Sequence, residues 1–268
     1  MPAFRSNPRT QSAALESHVL RDNPRLAFDP RSLDAGLLVW ARSDLGVEMN
    51  GSTASGWADM SGSGNDLAQA TAADQPTLAS GGLGGRPELT FDGLSDVLTG
   101  PSLYGMLSAD DEWTVALIVR DWTWGATIGP TWGTAHGRAV MGAPSNGGSY
   151  LSLVVGNSSQ GPTSGFYNGS ARIATPPAAG SQGEDLIWVA VNDGGDFTTR
   201  INGSAGSTSG SSGGFSSNVT TLGIGHGTYQ TTFWDGAISE VLIFDGALDE
   251  EELGDLEEYL SNRYGIQV

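Results

Sequence analysis

Carboxylates, indoles and a few histidines are the side chains here that could carry chemistry or binding. Thirty Asp and Glu stand against twelve cations, all of them Arg. Asp92 and Asp96 lie in the stretch Phe91-Asp92-Gly93-Leu94-Ser95-Asp96, where hard oxygen ligands on a loop suit Ca2+. Asp59 and Asn65 make a similar set in an earlier loop. The same side chains also cap turns through nearby backbone N–H groups, and the spacing is compatible with both readings. Indoles gather in residues 121–137, DWTWGATIGPTWGTAHG, which offer Trp122, Trp124, Trp132 and His136. Such rings suit a sugar platform, a protein interface, or a loop folded over its own sheet. His18, His136 and His226 stand in unrelated contexts, and nothing marks a Ser-His-Asp arrangement. With no cysteine, disulfides, thiolate metal sites and Cys nucleophiles are excluded. The cofactor expectation is therefore none, or Ca2+ alone.

The elements that must position these groups read as β. Forty Gly with abundant Ser, Thr and Asn favour many short strands joined by turns, and 268 residues suit one large sandwich. Strands are predicted at 37–41, 88–91, 96–98, 112–124, 138–142, 150–155, 164–168, 185–192, 197–201, 220–224 and 237–245. In 112–124 the alternation puts Trp113, Val115, Leu117 and Val119 on one face, with Trp122 and Trp124 on the other. Residues 185–192 are apolar on both faces, as in a central covered strand. Residues 203–217 read as a flexible surface loop. One helix is well signalled at 250–264: Asp249 and Glu252 make a capping box, Leu253, Leu256 and Leu260 an apolar stripe, and Gly265 a C-terminal cap.

Charge divides the chain. Residues 1–31 hold five Arg against three acids, net +2, and the rest holds seven Arg against twenty-seven acids, net −20. Residues 1–35 are read as an extended arm and 36–268 as the body. Within the arm, 12–21 could form a short helix presenting Leu15 and Val19, stable only when docked. An arm opposite in sign to its body suits another protein surface, contacted through Arg5, Arg9, Leu15, Val19, Arg21 and Arg25. A body at −20 argues against nucleic acid. No run approaches the roughly 20 apolar residues of a membrane span, and the start MPAFRSNPRTQ predicts no Sec-type signal.

Three stretches together resemble a known family. They are WADMSGSGND (Trp57, Asp59, Ser61, Gly62, Gly64, Asn65, Asp66), the FDGLSD turn (Phe91, Asp92, Gly93, Asp96), and the final strand and helix from Phe233. In this order they resemble the laminin-G-like jelly rolls of the concanavalin A-like lectin/glucanase superfamily. The resemblance implies an all-β, two-sheet antiparallel jelly-roll sandwich with one closing helix; it does not extend to the arm. It also implies that retaining hydrolases of the superfamily carry E-x-D-x-E or E-x-D-x-x-E on one strand, with the carboxylates about 5–5.5 Å apart. Neither string occurs here, so no enzyme is expected.

The leading expectation is a structural protein of a bacteriophage virion, a capsid decoration or fibre subunit. Its arm would bind neighbouring virion proteins in a homo-oligomer or larger assembly, and its jelly roll would be displayed outward. The alternative is a carbohydrate-binding attachment module at a cell surface, possibly Ca2+-dependent, with host glycans as partners.

Overall fold

The computed structural model describes residues 28–102, 112–125, 138–142, 150–167, 171–178, 181–210, 221–227 and 233–268. At 150–152, 165–167, 171–173 and 208–210 the backbone alone is described. In chain order the strands are β1 (Gly36–Arg42), β2 (Val47–Asn50), β3 (Thr53–Trp57), β4 (Leu67–Ala68), β5 (Thr77–Ala79), β6 (Glu88–Asp92), β7 (Leu98–Ser102), β8 (Glu112–Arg120) and β9 (Arg138–Gly142). There follow β10 (Tyr150–Val155), β11 (Pro162–Tyr167), β12 (Ala171–Ala174), β13 (Leu186–Asp193), β14 (Asp196–Ile201), β15 (Ser204–Gly210), β16 (Thr221–Ile224), β17 (Asp235–Asp245) and helix α1 (Glu250–Tyr264).

Antiparallel pairing sorts them into two layers. One runs β1-β17-β8-β13-β14-β15. The other runs β4-β7-β16-β9-β10-β11-β12. Short strands β3, β5 and β6 join them at one side, with β6 pairing the first residues of β17. The expected jelly-roll sandwich is therefore what the chain forms.

Between the layers lies a core of Val39, Trp113, Val115, Leu117, Val119, Trp188 and Val241 from the first side, facing Leu98, Val140, Leu153, Leu222 and Ile224, with Trp57 of the joining strand β3 in the same cluster. A second apolar layer covers the opposite face of the first sheet. There Ala116, Ile118, Ile187, Val189, Leu242 and Phe244 meet Leu253, Leu256 and Leu260 of α1. This two-sided cover explains why β13 and β17 read as continuous apolar runs rather than alternating ones.

α1 has the predicted bounds. Asp249 accepts from the N–H groups of Glu251 and Glu252, the Glu252 side chain reaches back to Asp249, and Gly265 closes the end in the left-handed region. Buried ion pairs fasten the helix to the sheet: Arg200 of β14 donates to Glu257 at 3.0 and 2.9 Å, and a larger network centres on Glu240. A bulge between Ile238 and Glu240 in β17 turns Glu240 toward α1, where it is fully buried. It accepts from Trp40 Nε1 at 2.6 Å, Tyr264 OH at 2.6 Å, Arg263 Nε at 3.1 Å and Tyr259 OH at 3.2 Å. Burial pushes this carboxyl up, against the pull of Tyr264, Trp40 and Arg263. Arg263 continues the network to Asp44 at 2.6 Å, which also pairs with Arg42 and Arg86.

Four sequence expectations are corrected. Within the loop predicted at 203–217, residues 204–210 form β15, which pairs with β14 through a two-residue Asn202-Gly203 turn with φ of 48° and 78°, the hairpin signal of an Asn-Gly pair; residues 211–217 lie outside the described residues. The strand predicted at 96–98 begins only at Leu98 and runs to Ser102; β6 pairs with β5 and β17, whereas β7 pairs with β4 and β16. The Asp92–Asp96 turn thus crosses between layers. The strand predicted at 112–124 ends at Arg120, because Asp121 adopts a φ of 51°. Residues 28–35, assigned to the arm, pack on the body: Phe28 lies against Tyr259 with ring centroids 5.4 Å apart, Asp34 N–H donates to Glu252 at 2.9 Å, and Arg31 sits over Trp40.

Removing the carboxylate at Glu240 would leave a buried guanidinium, two phenols and an indole N–H facing one void. Glu240→Ala is expected to cost about 3–5 kcal/mol, read as a lower urea midpoint; a midpoint within experimental error of the parent would contradict this account of how the helix is held.

Candidate functional site

The described start of the indole-rich stretch, Thr123 and Trp124, and the Asp92–Asp96 turn come together at one end of the sandwich. They meet through Arg138, the first residue of β9, and Asp235, the first of β17. Register pairs Asp235 with Asp92 across β17 and β6. Arg138 Nη2 lies 3.3 Å from Asp235 Oδ2, and Arg138 Nη1 donates to the Gly93 carbonyl at 3.3 Å. Thr123 Oγ1 donates to Asp235 Oδ2 at 2.7 Å, and Thr123 N–H to the Asp235 carbonyl at 3.1 Å. Trp124, the next residue, is half-buried. Leu94, at the tip of the turn, is 76% exposed.

Local geometry explains this convergence. The left-handed Asp121 breaks the alternation of β8 and swings Trp122 to the inter-sheet side. Trp122 is fully buried in the same core as Trp113 and Val119, and its Nε1 donates to the Glu184 carbonyl at 2.8 Å. The expectation that Trp122 faces away from the core is corrected on this point, and its face is closed to a ligand. Trp124 packs edge-on against it, centroids 4.8 Å apart at 83°, which leaves Trp124 as the ring at the rim. Gly93, with φ 73°, lets Arg138 approach the turn: a Cβ there would run into Arg138 Nη1 and lie 2.8 Å from Asp235 Cβ.

Asp92 and Asp96 close their own turn. Asp92 Oδ1 accepts from the N–H groups of Leu94, Ser95 and Asp96 at 2.8, 3.0 and 3.2 Å, and Asp96 Oδ2 accepts from Asp92 N–H at 2.9 Å. Calcium takes six to eight oxygens. Two carboxylates each already holding backbone donors do not supply that cage, and no cluster of three or more metal-ligating His, Asp or Glu occurs among the described residues. In the earlier loop Asp59 is likewise spent on Trp40 N–H, Ser61 and Asn65 N–H. Trp132 and His136, and the arm residues Arg5, Arg9, Leu15, Val19, Arg21 and Arg25, lie outside the described residues.

The rim contributors that residue type alone does not mark are Thr123, Arg138 and Asp235. Arg138 opens a predicted strand like any other charged residue. Asp235 carries a faint signal, an Asp-Gly pair just before the last strand. Together the side chains offer a half-exposed guanidinium, a carboxylate, a hydroxyl and an indole within one rim. Such a set can hydrogen-bond vicinal hydroxyls and cover an apolar ring face.

The family model described as the concanavalin A-like lectin/glucanases superfamily matches residues 107–254, more than half of the chain. The chain belongs to that superfamily. Among solved structures it is similar to domain 4 of AbnA, a GH43 extracellular arabinanase from Geobacillus stearothermophilus, in complex with arabinotriose: TM-score 0.61 at 16% identity, covering 83% of this chain and 98% of that one. It is also similar to the binding domain of Paraclostridial Mosquitocidal Protein 1, with TM-score 0.59 at 14% identity over 85% of this chain and 52% of that one. A third likeness is to botulinum neurotoxin type C, whose cell entry is dependent upon interaction with two ganglioside molecules: TM-score 0.52, 12% identity, 84% of this chain and 51% of that one. The chain thus spans nearly all of the arabinanase domain and about half of the two toxin chains. At these identities the likeness is one of fold. No curated protein sequence matches.

Burial and the neighbouring Asp92 carboxylate push Asp96 up to about 6. A carboxyl with a raised folded pKa binds its proton more tightly in the folded chain than in the unfolded one. Its contribution to stability is therefore full below about pH 4 and lost as the pH rises through about 6. Asp96→Asn keeps an acceptor for Asp92 N–H without the charge, and is expected to narrow the stability difference between pH 4.5 and 7.5 by on the order of 1 kcal/mol, allowing for solvent screening at the turn. Urea unfolding at the two pH values measures it; an unchanged difference would refute the assignment.

Proposed function

We propose that this chain is a non-catalytic carbohydrate-binding module whose ligand sits on the rim formed by Thr123, Trp124, Arg138, Asp235 and the Asp92–Leu94 turn. One observation carries the reading. Arg138 and Asp235, bonded to each other, tie the Trp124 segment to the Asp92 turn, so one indole of the nominated stretch and the nominated turn share one surface. The ring of Trp124 would cover a sugar face while the guanidinium and carboxylate share its hydroxyls. The superfamily's lectin-like fold and the arabinotriose-bound domain among the fold neighbours are in keeping with it.

A binding role is favoured over hydrolysis because the rim carboxylates are engaged. Asp235 is held by Arg138 and Thr123, and Asp92 by three backbone donors, so neither is disposed as a proton donor or nucleophile across a glycosidic bond. The finer expectation, virion display with other virion proteins as partners, rests on the arm, the expected lack of a Sec-type signal, the lack of cysteine and a jelly roll without the hydrolase carboxylate string; it is not the function we propose.

The full chain on a glycan array of neutral and acidic oligosaccharides, with and without EDTA, tests the proposal. Trp124→Ala and Arg138→Ala are each expected to weaken the best binding at least tenfold, which is about 1.4 kcal/mol, without loss of fold. A silent array, or variants that bind as the parent does, would dispose of it.

A further inference from the structure

On the opposite side of α1 from Phe28, the structure holds a cleft of about 400 Å³ that the rim does not use. It opens between the ends of β13 and β14 and the first turn of the helix. Its floor is apolar, from Val191, Leu248 and Leu253, and its border is acidic, from Asp193, Asp249 and Glu250. Arg200 lines one wall, but its charge is already taken. Its Nε and Nη2 donate to Glu257 at 3.0 and 2.9 Å, and Nη1 lies 3.2 Å from Glu250. An apolar floor under a surplus of negative charge fits a short amphipathic segment with flanking cations.

The chain carries one such segment. Residues 12–21, SAALESHVLR, present Leu15 and Val19 at helical spacing, with Arg21 and Arg25 immediately following. The described chain takes up from there on α1 itself: Phe28 lies on Tyr259, and Asp34 bonds Glu252. From Val19 to Phe28 an extended chain reaches up to roughly 30 Å, whereas the helix it must cross is about 10–12 Å wide with its side chains. The exposed crest between them carries Glu251 and Asp255, acids facing the path of Arg21 and Arg25. We propose that residues 12–21 dock in the cleft of their own chain, with Leu15 and Val19 on the Leu248–Leu253 floor and Arg21 and Arg25 over the acidic crest. A tether this short holds the segment at an effective concentration in the millimolar range, which favours the chain's own cleft over that of a second copy. The inference is independent of the glycan reading, since neither cleft nor segment touches the rim residues.

The absence of native cysteine makes the test direct. In the full chain, Val19→Cys paired with Thr198→Cys is oxidised and run on a non-reducing gel beside a control pair. The control is Thr175→Cys with Ser207→Cys, whose hydroxyls stand 2.8 Å apart. The expected result is an intrachain disulfide formed at least half as completely as the control and unaffected by tenfold dilution. Ser17→Cys with Thr198→Cys, two residues off the Leu15–Val19 face, is expected to close less than about a third as fast. Interchain dimers, no disulfide where the control closes, or equal rates at positions 17 and 19 would each overturn the proposal. As a check that needs no cysteine, Leu15→Asp with Val19→Asp is expected to speed amide exchange at Leu248 and Leu253 roughly tenfold; unchanged rates would count against docking.

Discussion

Glu240 is a full negative charge's worth of polarity placed where no water reaches, and the arrangement around it explains much of the molecule. An isolated carboxylate there would be intolerable, so four donors from two elements converge on it: Trp40 from β1, and Tyr259, Arg263 and Tyr264 from α1. Satisfying that group, together with the buried Arg200–Glu257 pair from β14, ties the helix to the sheet at two separate points along its length. The apolar stripe of α1 supplies the attraction, whereas these buried charges supply the specificity. The N-terminal stretch depends on the same site, since Phe28 rests on Tyr259 and Arg31 on Trp40.

β17 carries this constraint to the rim. The strand pairs with β1, β8 and β6, so its position is set along its whole length. Asp235, at its first residue, therefore arrives at a defined place beside Asp92 and Arg138. A bulge five residues on aims Glu240 at the helix. One central strand thus anchors the closing helix on one face and orients a polar cluster at its end.

Much of this was legible from residue order. The capping box, the leucine stripe and Gly265 define α1 through local hydrogen bonds and periodicity, and these depend on few distant residues. The uninterrupted apolar run of β13 foretold a strand covered on both faces. Less legible were the short strands β2 to β5, whose two to five residues are too brief for alternation to register, and β15, where Gly, Ser and Thr mask a strand that an Asn-Gly turn forces into pairing. Trp122 was misplaced because strict alternation assumes an unbroken strand, and one left-handed residue at Asp121 resets the parity.

Composition and spacing by themselves determined the β character, the closing helix, the absence of thiol chemistry and the opposition in charge between arm and body, and the resemblance of three motifs implied the jelly roll. These follow from summed or local properties, which sequence order contains in full. Tertiary structure alone decided that Trp122 is fully buried in the core while Trp124 lies half-buried at its edge, that Asp92 and Asp96 hold their own turn, and that Arg138 and Asp235 join them at a common rim. Those outcomes rest on contacts between residues up to 143 positions apart, such as Asp92 with Asp235, and only the paired sheets bring such residues within reach of each other.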